Sequence, residues 1–256
     1  PASKVFSKNI YGFSLWLDPV NDTNGIEHRL YYLGTYEKGT IHVIDAYLKE
    51  NDHFLDIGAN IGFITLFAAQ KNSNGQVFAF EANPDTVQIL NTNVKDNGVK
   101  NVNVYDFALG SENGNALLFP DTIKNNRGGA SLFKTHQNEN FIEILVKKFD
   151  DLPESKLTFA MMKLDVEGFE MEVLKGATNF LKQDNAPAII VECVMERENQ
   201  NYSGKDLFRF LKSINSYRIF KLEKGALRIS KLIEVIDEID IPDADNLFCF
   251  LPNQIQ

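Results

Sequence analysis

A chain of 256 residues, 44% hydrophobic and 24% charged, carries enough apolar material to bury a full core and falls within the range of one globular domain. Its 35 acidic residues outnumber the 26 basic ones, and a net charge of -9 sets aside phosphate-backbone binding, hence a nucleic-acid partner, as the main activity. Cys193 and Cys249 lie far apart with no C-x-x-C spacing, and no apolar run approaches a membrane span or a signal sequence, so a reducing, cytoplasmic setting is expected.

Residues 1–50 read as an N-terminal hairpin and helix extension to a core over 51–256, the whole of 1–256 forming a single domain. From Phe54 onward, short β-branched and aromatic runs alternate with amphipathic stretches, the signature of βαβ units in a parallel sheet. In chain order the pattern predicts a strand over 53–58, a helix over Ile61–Lys71 and a strand over 76–81. A helix over Pro84–Asn97 follows, with proline in its first turn and Gly98 at its end, and then a strand over 101–106. Asn113–Lys148 breaks the rhythm: NALLFP, ASLF and FIEILVKKF resemble short antiparallel strands joined by the polar loop Asp121–Gly129, a β insertion over the sheet edge. The alternation resumes with a strand over 159–165, a helix over Phe169–Lys182, a strand over 188–193, a helix over Gly204–Ile214 and strands over 217–222 and 246–251. The sum is an α/β fold with a doubly wound, seven-stranded, mostly parallel sheet.

The stretch Phe54-Leu-Asp56-Ile-Gly58-Ala-Asn60-Ile-Gly62 is an apolar strand running into a glycine-punctuated turn and then a helix. Gly58 and Gly62 allow close backbone approach to a ligand, and a helix beginning near Ile61 presents free N–H groups to an anionic end. The spacing D-x-G-x-x-x-G differs from the G-x-G-x-x-G of dinucleotide enzymes, and Asp56 would repel a phosphate. A nucleoside ligand with an amino-acid end fits better. Glu81 closes the second core strand, where an acid accepts the hydroxyls of a ribose, and Asp106 closes the third, where it can accept from an adenine amino group. Any one of these acids alone would read as a helix cap or a solvated carboxylate.

The pieces DIGANIG, FEANP, ALG and KLDVEG, in that order between about Leu30 and Cys193, resemble the FkbM family of methyltransferases. The resemblance implies a Rossmann-like methyltransferase fold, S-adenosylmethionine as cofactor, and a small-molecule or glycan hydroxyl as acceptor. It implies that Gly58, Asn60 and Gly62 line the methionine end, Glu81 the ribose, and Asp106 with Ala108 the adenine. Glu37 matches the family's Tyr-Glu pair and is expected to meet the ligand's amino group, although an acid at a helix start also suits the helix dipole.

In Lys163-Leu-Asp165-Val-Glu167-Gly168-Phe-Glu170 the fourth core strand ends beside the expected methyl group. Asp165, Glu167 and Lys163 are therefore the candidates for proton removal and acceptor positioning. Lys163 has a second reading as the partner of a strand-end acid. Asp165 and Glu192, at the ends of the fourth and fifth core strands, resemble the Mg²⁺ ligands of metal-dependent O-methyltransferases. Those enzymes follow the fifth-strand acid with an amide, whereas Cys193 stands here, so Mg²⁺ is possible but not assigned. His28, His42 and His53 precede the motif and suggest structural roles. His136 lies in the insertion with Arg127, Gly128, Gly129 and Ser131, a loop placed to close over an acceptor. Acceptor discrimination is expected in 113–148 and 223–244. The competing readings are an NAD-dependent oxidoreductase and a non-catalytic module that binds an adenosyl ligand.

Overall fold

Strands of the central sheet come from the β-branched and aromatic runs, and their order decides where a ligand can sit. The computed structural model describes residues 4–120, 126–132, 140–196 and 200–255. The chain opens with a hairpin, β1 (Val5–Lys8) and β2 (Ser14–Leu17), and two helices, α1 (Ile26–Leu33) and α2 (Lys38–Tyr47). The first half of the core follows as β3 (Phe54–Ile57), α3 (Phe63–Lys71), β4 (Val77–Phe80), α4 (Pro84–Asp96) and β5 (Val102–Tyr105). A separate three-stranded sheet holds β6 (Ala108–Leu109), β7 (Gly114–Leu118) and β8 (Ile142–Lys147) in the order β6-β8-β7. The second half runs through β9 (Met161–Leu164), α5 (Glu170–Gly176), α6 (Thr178–Leu181), β10 (Ala188–Val194), α7 (Gly204–Ile214), β11 (Arg218–Leu222), β12 (Leu232–Glu234) and β13 (Ala244–Phe250).

The main sheet has the order β12-β11-β13-β10-β9-β3-β4-β5. The five strands from β10 to β5 are parallel, and β13 inserts antiparallel between β10 and β11. The seven expected strands are present, and the short edge strand β12 makes eight. Connections from β3 lead outward to β4 and β5 on one side and, through β9, outward on the other. A crevice therefore opens between the carboxyl ends of β3 and β9, the switch point where open α/β sheets bind ligands.

Period-two alternation builds the two layers. Leu55, Ile57, Phe80, Met162 and Leu164 pack on one face with α5, α6 and α7. Phe54, Val77, Met161 and Ile190 pack on the other with α2, α3 and the N-terminal hairpin. Each such side chain contributes about 1.5–3 kcal/mol on burial. The hairpin is tied to α4 by polar groups as well: the Trp16 backbone N–H donates to Asn93 Oδ1 at 2.8 Å and the Ser14 N–H to Asn97 Oδ1 at 3.0 Å. Caps set the helix starts, with Asn83 accepting from the Asp85 N–H at α4 and a reciprocal Ser203–Asp206 box at α7. The helix expected over 169–182 is divided into α5 and α6 around Ala177.

Candidate active site

A cavity of about 320 Å³ occupies the switch point. The turn leaving β3 shapes its floor. Gly58 has φ 81°, and a Cβ there would stand 1.8 Å from the Asp165 carbonyl oxygen, so only glycine lets this turn pass the end of β9. Asn60 and Gly62 also adopt positive φ, at 52° and 93°, which delays α3 to Phe63, two residues beyond the expected start. Among the described residues, three non-glycine positions have positive φ, Glu37, Asn60 and Glu167, and all three line this cavity. Left-handed conformations cost about 1–2 kcal/mol each in such residues, and that strain gathers at functional sites.

One wall runs from Asp56 to Thr86 and then to Ala108. Glu81 Oε2 accepts from the Asn60 N–H and Oε1 from the Asn83 N–H, both at 2.9 Å. Burial pushes the Glu81 carboxyl up from the usual carboxylate range, while the amides of Asn83, Asn60 and Ala82 pull it back. Gly58, Asn60, Glu81 and Ala108 line the cavity as the sequence suggests; Gly62, expected to line it, stands outside the lining at the start of α3. Asp106 does not: it is exposed and stands outside the lining. The reason is register. Phe107 turns inward, packing its ring 5.5 Å from that of Phe80, and so sends its neighbour Asp106 outward.

The opposite wall is built from charges drawn from distant segments. Lys163 Nζ donates to Asp165 Oδ2 at 2.8 Å, the lysine side chain 6% exposed and the aspartate 27%. Asp56, at the edge of the first wall, accepts from Thr65 Oγ1 at 2.5 Å. Glu37, from the extension, accepts from Asn246 Nδ2 of β13 at 3.0 Å. Burial opposes the Lys163 ammonium, but Asp165, Glu37 and Asp56 outweigh it and its pKa is raised. Burial also raises the Glu37 and Asp56 carboxyls, with Lys163 holding both partly down. Tyr36 and Arg29 join this wall, the guanidinium 5.7 Å above the tyrosine ring. Sequence reasoning passed over Arg29 and the Asn246 contact, because nothing local marks them, and gave Tyr36 no role beyond its place in the Tyr-Glu pair.

A strap closes the remaining side. Asn126, Gly128, Ala130 and Leu132 of the insertion line the cavity, and Ser131 Oγ donates to the Glu167 carbonyl at 2.9 Å. His136 lies outside the described residues. Residues 223–244, expected to read the acceptor, contribute nothing to the lining. Glu170, which the sequence reading left without a role, braces the turn after β9: its Oε1 accepts from the Val166 and Gly168 amides, both at 3.1 Å, and its Oε2 from the Tyr202 hydroxyl at 2.5 Å. Ligand oxygens of Asp165, Glu170 and Glu192 fall within 4.8 Å of one another. Both Glu170 oxygens are thus committed to protein donors, which fits a structural brace better than a metal ligand. Among the described residues no helix is long and apolar enough to cross a membrane.

The strand order, the glycine turn at the switch point and the acid closing β4 define the Rossmann-like fold of S-adenosylmethionine-dependent methyltransferases. An FkbM methyltransferase from Methylobacillus flagellatus KT superposes with TM-score 0.50 at 18% identity, over 79% of this chain and 44% of that one. TYW2 from M. jannaschii, solved in complex with AdoMet, gives 0.51 at 16% identity, over 97% and 85%. The chain belongs to the FkbM methyltransferase family, whose domain model matches residues 56–219. Hexuronic acid methyltransferase AglP of Haloferax volcanii is 32% identical over 162 residues, 61% of this chain and 62% of that protein. Methyltransferase 1 of Beauveria bassiana is 27% identical over 151 residues, 51% and 60%. The matches thus span about six-tenths of the length of these curated relatives.

Proposed function

We propose that the protein is an S-adenosylmethionine-dependent O-methyltransferase acting on a hydroxyl of a sugar, glycan or secondary metabolite. The observation that carries this reading is the charge of the cavity: among the described residues that line it, five carboxylates, Glu37, Asp56, Glu81, Asp165 and Glu167, face two cations, Lys163 and Arg29. That balance suits a cationic ligand with a nucleoside and an amino-acid end, and opposes the pyrophosphate of a dinucleotide. S-adenosylmethionine, when bound, supplies an electrophilic methyl on a sulfonium.

The residues of the chain do the remainder. Glu81, oriented by two backbone amides, accepts the ribose hydroxyls. The Asp56–Asn60 turn and Glu37 hold the amino-acid end, with Ala108 and Phe107 against the base. Asp165 takes the proton of the acceptor hydroxyl, and Lys163 holds its carboxyl in place; Glu167 holds the acceptor. Positioning of both reactants in a dry cavity supplies much of the rate, a role the 126–132 strap serves by covering the site. A sugar acceptor is supported by the similarity to the hexuronic acid methyltransferase AglP. Incubation of the protein with methyl-labelled cofactor and pools of glycans and metabolites tests the proposal. Label transferred to an acceptor oxygen is the expected result; calorimetric binding of NAD in place of the cofactor would overturn it.

A further inference from the structure

Thr86 sits in the first turn of α4, lines the cavity and is only 2% exposed. Its Oγ1 has no hydrogen-bond partner among the described residues. The fold does not account for this. Capping of α4 is already performed by Asn83, whose side chain accepts from the Asp85 N–H. A helical threonine often turns its hydroxyl onto a carbonyl of the preceding turn, and Thr86 does not. Buried hydroxyls without partners are penalised, and an apolar side chain of the same shape would avoid the penalty. The hydroxyl is thus a buried group without a partner in a residue that lines the cavity, where a bound molecule can supply the missing partner.

We infer that Thr86 is a ligand-contacting residue, its hydroxyl exchanging a hydrogen bond with the nucleoside half of the bound molecule. The half is assigned by position. Thr86 follows Glu81 along the wall of backbone-held groups, whereas the charges suited to an amino-acid end, Glu37 and Lys163, gather on the opposite wall. A hydroxyl can donate and accept at once, so it can read a ribose oxygen or a ring nitrogen without adding charge to an already acidic cavity. The inference rests on the cofactor reading above and adds a contact that the family motifs do not mark.

The test is calorimetric titration of S-adenosylhomocysteine and of 5′-methylthioadenosine into the wild type, Thr86→Val and Thr86→Ser, with the thermal midpoint of each protein measured without ligand. Thr86→Val is expected to weaken both ligands by about 3- to 10-fold, the worth of one neutral hydrogen bond, with a midpoint equal to or above that of the wild type. Thr86→Ser is expected to retain affinity. A lowered midpoint with unchanged affinity would make Thr86 structural and overturn the inference. Loss confined to S-adenosylhomocysteine would move the contact to the amino-acid end and overturn the assignment. If the wild type binds neither nucleoside, the cofactor reading itself fails, an outcome distinct from wild-type binding that Thr86→Val leaves intact.

Discussion

The two walls of the cavity are built by different means. The wall from Asp56 to Thr86 is one contiguous stretch of chain, and its central acid, Glu81, is held by backbone amides at 2.9 Å. The facing wall assembles Glu37, Lys163, Asp165 and the 126–132 strap from remote segments, joined by side-chain contacts such as Lys163–Asp165 at 2.8 Å. Backbone-held groups are rigid and suit recognition of an invariant ligand. A coupled cluster of buried charges can be retuned by one substitution and suits proton handling and a variable acceptor.

If that division is correct, the largest effect falls on turnover alone. Asp165→Asn should lower methyl transfer by about 10²–10⁴-fold at saturating cofactor, read in a labelled-methyl assay. Near-normal turnover by the folded variant would leave Asp165 only the structural partner of Lys163. Lys163→Met comes next: it leaves Asp165, Glu37 and Asp56 without their shared counter-charge, and should cost about 3–5 kcal/mol in denaturant unfolding at neutral pH. Lowering the pH should recover part of this loss, because protonation removes the unpaired charge.

The extent to which each wall was legible in the sequence follows the same divide. DIGANIG, Glu81 and KLDVEG could be placed at the switch point because each position depends on residues within one turn and its adjacent strand. Glu37 could be suspected only through the family resemblance, since its partner Asn246 stands 209 residues away. Arg29 and Tyr36 reach the site through the packing of α1 and α2, which no local pattern announces. Asp106 misled because a strand-end acid was assumed to face the crevice, whereas the chain past β5 places Phe107 inward. The switch-point topology was legible from the alternation of runs. The start of α3 was not, because Gly62 adopts the left-handed conformation inside the span where the helix was expected.

The charged wall also predicts a pH dependence. Burial raises Glu37 and Asp56 in the folded protein above their unfolded values. The folded state therefore binds more protons than the unfolded one in that window, and stability without ligand should fall as pH rises from about 4 through the raised values. Each such proton contributes a slope of about 1.4 kcal/mol per pH unit, and Glu37→Gln should flatten the curve. A cationic ligand favours the ionised carboxylates, so binding should release protons, visible as a binding enthalpy that changes with the ionisation enthalpy of the buffer. A stability that rises through the same window would contradict the assignment. The smallest effect is expected at the strap: Ser131→Ala removes the bond to the Glu167 carbonyl and should cost about 0.5–1.5 kcal/mol, appearing as a raised KM for acceptor with cofactor affinity intact.

The separation of the walls is tested most directly by calorimetric titration of S-adenosylmethionine into the wild type, Glu81→Ala and Asp165→Asn. The account predicts saturable one-to-one binding by the wild type. It predicts a loss of about 1.5–3 kcal/mol in Glu81→Ala, where a charged hydrogen-bond partner is removed, and affinity close to wild type in Asp165→Asn. Equal losses in the two variants, or unchanged affinity in Glu81→Ala, would contradict it.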